Sequence, residues 1–100
     1  MIKHVVLFNM KETKAKSRQE NAEELKSLLE KLPGLIEEIK EYEVGMNINT
    51  NSDLAMDLIL ISSFSDEQAL QNYRIHPEHK KILSFIKENC EELRVIDYYI

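Results

Sequence analysis

Ile2-Lys3-His4-Val5-Val6-Leu7-Phe8-Asn9 alternates as a β-strand whose two faces are both partly apolar. Ile2, His4, Val6 and Phe8 share one side, and Lys3, Val5, Leu7 and Asn9 share the other. A strand with one wetted face would alternate cleanly between apolar and polar, so this one calls for cover on both sides. Leu54 to Phe64 repeats the theme as nearly continuous apolar sequence, interrupted by Asp57 and two serines. It reads as a long strand buried on both faces, although a buried helix fits the same run.

The segments around these two strands set the topology. Ser17 with Glu20 three positions on forms a capping box. Ala22, Leu25, Leu28, Leu29 and Leu32 then recur at helical spacing until Pro33-Gly34 stops the helix. Residues 35–41 fit either a short helical turn or the start of a strand. Tyr42, Val44, Met46 and Ile48 alternate with Glu43, Gly45, Asn47 and Asn49 as a half-buried strand, and residues 49–53 read as a turn. Ser65 and Gln68 look like a second capping box, with Asp66 and Glu67 favouring the positive end of a helix whose apolar side is Ala69, Leu70 and Tyr73. Pro77 breaks that helix and starts another with His76 at the cap; Ile82, Leu83, Ile86 and Cys90 mark its buried face. From Leu93 to Ile100 a last strand sets Ile96, Tyr98 and Ile100 against Val95, Asp97 and Tyr99. The order is βαββαβ with the second helix broken in two. That is an α+β, ferredoxin-like arrangement, an antiparallel four-stranded sheet with helices on one face.

Such helices cover one face only. On the other, Val5, Leu7, Ala55, Ile59 and Ile61 would stand open, each forfeiting roughly 1.5–3 kcal/mol of burial. A homodimer joined through the open sheet face is therefore expected.

Composition narrows the function classes. One hundred residues suit one domain, spanning 1–100. A net charge of -5, with no stripe of Lys or Arg, argues against nucleic-acid binding. No apolar run approaches the roughly 20 residues that cross a bilayer, so no membrane partner is expected. The first strand is too short and too alternating for a signal peptide, and the lone Cys90 permits no internal disulfide; both suggest the cytoplasm. Cys90 reads as a small buried hydrophobe rather than a nucleophile.

Proton-handling groups concentrate in Tyr73-Arg74-Ile75-His76-Pro77-Glu78-His79, which holds two of the three histidines. Tyr73, His76, His79, Ile82, Leu83 and Ile86 follow helical spacing toward one interior, and His4 on the face of Val6 and Phe8 points toward them. These residues together outline a pocket between sheet and helices. Taken singly, His76 is better explained as a helix cap, Tyr73 as a core aromatic and His4 as a hydrogen-bonded core residue; it is their convergence that points to a pocket. The Pro77 break between the two late histidines, with no further ligand placed to complete a set, argues against a metal site. With two glycines in the chain there is no phosphate-cradling loop, and no cofactor is expected.

The opening Ile2-Lys3-His4-Val5-Val6-Leu7-Phe8, the Phe64-Ser65 strand end, the segment from Tyr73 through His76-Pro77 to His79, and the closing Asp97-Tyr98 resemble the stress-responsive A/B barrel (Dabb) family over essentially the whole chain. The resemblance implies a ferredoxin-like subunit and a homodimer built around an α+β barrel. Its activities are varied. Plant polyketide cyclases of the family use a tyrosine and a histidine as acid–base partners in an aldol condensation, and the resemblance puts Tyr73 and His79 on that pair, with His4 and His76 as supporting pocket histidines. Dimeric barrels of this kind also include monooxygenases. The resulting expectation is a stress-associated protein binding a small apolar or carbonyl-containing ligand among His4, Val6, Phe8, His76, Ile82 and Leu83. The alternative is a cofactor-independent acid–base enzyme using Tyr73 and His79.

Overall fold

A computed structural model describes residues 1–49 and 51–100. Strand β1 (Ile2–Met10) leads to helix α1 (Arg18–Glu30), followed by strands β2 (Glu41–Met46) and β3 (Leu58–Phe64). Helices α2 (Glu67–Ile75) and α3 (Pro77–Asn89) come next, and strand β4 (Cys90–Tyr99) closes the chain. All pairings are antiparallel and the sheet order is β2-β3-β1-β4. This is the ferredoxin-like α+β fold expected from the order of elements.

Local chemistry explains the boundaries. Ser17 and Glu20 satisfy each other's backbone N–H groups at the head of α1, the capping box read from the sequence. The helix ends at Glu30, slightly before the expected stop. Leu32–Gly34 form a 3₁₀ turn in which the Leu32 carbonyl accepts from Leu35 and Ile36 N–H, at 2.9 Å each. Residues 35–40 then run as turns, and the strand starts at Glu41. At the head of α2 the cap is Asp66 rather than Ser65, its carboxylate accepting from Ala69 N–H at 2.8 Å. An ionised carboxylate is the stronger acceptor for a free N–H at the positive end of a helix. His76 caps α3 as expected, its Nδ1 accepting from Glu78 N–H at 3.1 Å, with Pro77 as the first helical residue.

Three further expectations are corrected. The strand read from Leu54 begins only at Leu58, because Asp57 turns the chain: its N–H donates to Phe8 O at 2.8 Å, and its carboxylate accepts from Met10 N–H at 2.6 Å and Arg18 Nε at 2.9 Å. Leu54 is consequently exposed. The second strand ends at Met46, leaving Ile48 exposed. The helix read through Cys90 stops at Asn89; Cys90 is half-buried, opens β4, and shares its S–H with the Asn9 and Glu92 carbonyls. The turn read over residues 49–53 includes Thr50, which lies outside the described residues.

The register fixes which side chains meet the helices. Ile2, His4, Val6, Phe8 and Met10 are all buried; the first four pair with Phe64, Ser62, Leu60 and Leu58 on β3, and Met10 pairs with Cys90 on β4. They pack against Ala22, Leu25 and Leu29 of α1, Leu70 and Tyr73 of α2, and Ile82 of α3. The opposite face presents Val5, Leu7, Ile59, Ile61 and Ile96, which no helix among the described residues covers.

Candidate functional site

The antiparallel register sets His4 directly opposite Asp97 across β1 and β4. Opposed side chains on one face of a sheet lie close enough to bond, and His4 Nδ1 donates to Asp97 Oδ1. The second carboxylate oxygen of Asp97 accepts from Arg74 Nη2 at 2.6 Å. One aspartate thus joins a buried imidazole to a guanidinium that is 42% exposed. On its other side His4 is anchored by Ser62, whose hydroxyl donates to the His4 carbonyl oxygen at 3.1 Å.

The break at Pro77 positions His79. In an unbroken helix the Arg74 carbonyl would accept from the N–H of residue 78. That N–H is committed to His76 Nδ1, so the Arg74 carbonyl is left free in the last turn of α2. The His79 ring fills the vacancy, its Nδ1 lying 3.1 Å from the Arg74 oxygen. A carbonyl only accepts, so Nδ1 carries the proton and Nε2 keeps its lone pair. Burial holds the His79 pKa below its usual value, opposed by the bond to Arg74 O and reinforced by the charges of His4, Arg74 and His76. The ring is a neutral base at neutral pH.

Tyr73 is fully buried and lies at the centre of an aromatic cluster. Its ring centroid is 4.4 Å from that of His79, 4.9 Å from Phe64 and 6.0 Å from His4. Its hydroxyl is 3.1 Å from that of Tyr42 on β2. Burial pushes the Tyr73 phenol up to about 12, partly offset by the bond to Tyr42. Tyr42 is driven higher still, by burial first and then by its neighbour. Neither ionises near neutral pH, and each is a neutral donor or acceptor.

A cleft of about 250 Å³ opens between sheet and helices. His4, Val6, Phe8, His79 and Leu83 of the expected set line it, joined by Leu60, Arg74 and Val95. Three expected residues lie outside the lining: Tyr73 sits behind His79, Ile82 is packed in the core, and His76 is occupied as the cap of α3. Arg74, Asp97 and Tyr42 are the residues that sequence reasoning did not weigh as site groups. The signal for Asp97 was its presence inside a strand, where aspartate is disfavoured; Arg74 lay in plain view within the histidine-rich segment. Among the described residues no group of three His, Cys, Asp or Glu side chains is arranged to hold a metal ion. Nor is any helix there long and apolar enough to cross a membrane.

Residues 2–100 match the family profile of the stress responsive A/B barrel domain, Dabb. The chain belongs to this family. Among solved structures, it is similar to a dimeric ferredoxin-like protein of unknown function from Bacteroides fragilis, with 28% identity, a TM-score of 0.84, and coverage of 99% of this chain and 95% of that one. It is also similar to an Arabidopsis thaliana protein, at 27% identity and TM-score 0.79 over 100% of this chain and 95% of the other. A hydroxynitrile lyase from Passiflora edulis, 19% identical, shares the fold with a TM-score of 0.82, covering 99% of this chain and 92% of the lyase. None of the curated proteins matches the chain.

Proposed function

We propose that this protein binds a small apolar, carbonyl-containing ligand in the cleft between sheet and helices. The observation that carries the reading is His79: a neutral imidazole with its Nδ1–H committed to Arg74 O, lining a cleft whose other walls are mostly aliphatic or aromatic. Apolar walls with a few convergent polar groups are the usual make-up of a small-molecule site. Native mass spectrometry of protein purified from its own host tests it. A retained small-molecule adduct is expected, and Leu83→Trp at the cleft wall should eliminate it. An adduct-free protein that also gives no heat with medium-chain ketones or aldehydes would sink the proposal.

A second reading is acid–base catalysis on the bound carbonyl compound, with His79 as general base and Tyr73 as its partner at oxygen. The free lone pair of His79 and the 4.4 Å ring separation from Tyr73 favour it. It requires the Tyr73 hydroxyl to leave Tyr42 and turn toward the cleft. Solvent exchange of the α-protons of a bound ketone, followed by NMR, checks it: wild type should exchange faster than His79→Gln.

We also infer a cytoplasmic homodimer joined through the open sheet face. Val5, Leu7, Ile59, Ile61 and Ile96 form the apolar patch, and the Bacteroides fragilis relative is dimeric. Sedimentation showing only monomer at micromolar concentration would contradict the dimer.

A further inference from the structure

Arg74 is the one permanently charged residue of the cleft lining, and no aspartate or glutamate belongs to it. Asp97, which is outside this lining and forms an ion pair with Arg74, takes one N–H at 2.6 Å. A guanidinium has five, and the others have no protein partner among the described residues. Apart from His4 and His79, the rest of the wall, from Val6, Phe8 and Leu60 to Leu83 and Val95, offers no group that would solvate a charge. Arg74 also lines a second, more polar cleft of about 430 Å³ beside Gln68, Gln71 and Asp97, so its side chain stands at the border between an apolar and a wetted space.

We propose that Arg74 selects a ligand that is both apolar and anionic: a small monocarboxylate whose carboxylate meets the guanidinium while its tail fills the cleft. This rests on the ligand-binding reading above and names the chemical class that the same cleft prefers. Two arguments place the anion on Arg74 rather than on the histidines. With Nδ1–H on Arg74 O, His79 keeps a lone pair on Nε2, which would repel a carboxylate oxygen but accept from a hydroxyl. His4 has its Nδ1–H committed to Asp97. A guanidinium, by contrast, matches the carboxylate fork and bonds it with charge assistance. A cleft of this size admits a medium-chain or single-ring acid.

Calorimetric titration with sodium octanoate and with its neutral isostere octanamide, at low ionic strength, tests the assignment. Octanoate is expected to bind at least about tenfold more tightly. Added salt should weaken octanoate and leave octanamide unaffected. Arg74→Gln should abolish the preference, Arg74→Lys should retain part of it, and His79→Gln should preserve it. Because the wild-type comparison needs no variant, it decides the matter even if Arg74→Gln folds poorly. Equal affinity for the two compounds overturns the anion assignment and leaves the ligand-binding reading standing. If neither compound binds, while a neutral ketone or aldehyde does, the assignment again fails alone. If no apolar compound binds at all, both fail together.

Discussion

The His79 ring donates its Nδ1–H to the Arg74 carbonyl oxygen at 3.1 Å, so the helix break at Pro77 fixes the tautomer of a histidine two positions further on. The bond also ties the His79 ring to the backbone of Arg74, and both residues line one cleft. Replacing Pro77 should therefore reach the site without touching it. In Pro77→Ala the N-terminal end of α3 regains an N–H and some freedom to join α2, and His79 is expected to lose its single tautomer, which ¹⁵N chemical shifts of the imidazole would report.

The sign of the His79 shift sets a pH dependence. Its pKa in the folded chain lies below the ordinary value of 6.5, because burial disfavours the charged ring. The unfolded chain therefore binds more protons as the pH drops. The stability associated with His79 is complete above pH 6.5 and is lost progressively as pH falls from there through the lower folded value. Urea midpoints measured from pH 7.5 to 5 should decline in wild type, and less steeply in His79→Gln. Equal slopes would show that the ring is not shielded.

Asp97 serves two partners, so its substitution should cost more than an ordinary surface change. Asp97→Ala leaves the buried His4 without an acceptor and is expected to lose about 1–3 kcal/mol, while Asp97→Asn, which keeps an acceptor oxygen, should lose less. Chemical denaturation measures both.

The tyrosine pair separates packing from chemistry. Tyr73→Phe removes the bond to Tyr42 and should cost about 1 kcal/mol, while leaving ligand affinity unchanged, because the hydroxyl points at Tyr42. Tyr73→Ala empties a fully buried site and should cost about 3–5 kcal/mol. A large drop in ligand affinity for Tyr73→Phe would bring the hydroxyl into the cleft.

On the open sheet face, Ile61→Asp places a charge among Val5, Ile59 and Ile96. With no contact to the helices, it is expected to leave the monomer folded and to dissociate the dimer, raising the dimer dissociation constant by at least about a hundredfold in analytical ultracentrifugation.

Much of the fold was legible because it rests on short-range rules. The alternation of Ile2 to Phe8, the Ser17–Glu20 box and Pro77 as a helix start each act within a few residues, and each is found as read. The misread boundaries at Asp57 and Cys90 share a cause: a side chain engaged far along the chain. Apolar character predicted a strand from Leu54, but Asp57 is held by Met10 and Arg18, and the ladder starts after it. Cys90 looked helical by spacing and instead begins the strand that pairs with Met10.

The candidate site divides in the same way. By itself the sequence determined that proton-handling groups cluster between Tyr73 and His79, that His4 lies on the helix-facing side of β1, and that Pro77 interrupts the helix between His76 and His79. Only the tertiary structure decided which of them share a cleft. The β1–β4 register brought Asp97 to His4, the end of α2 gave Arg74 to Asp97 and its carbonyl to His79, and Tyr42 drew the Tyr73 hydroxyl away. Helix and strand periodicity specify the direction of a side chain from its own neighbours. A hydrogen-bond partner dozens of residues away depends on how whole elements dock, and no local pattern encodes that.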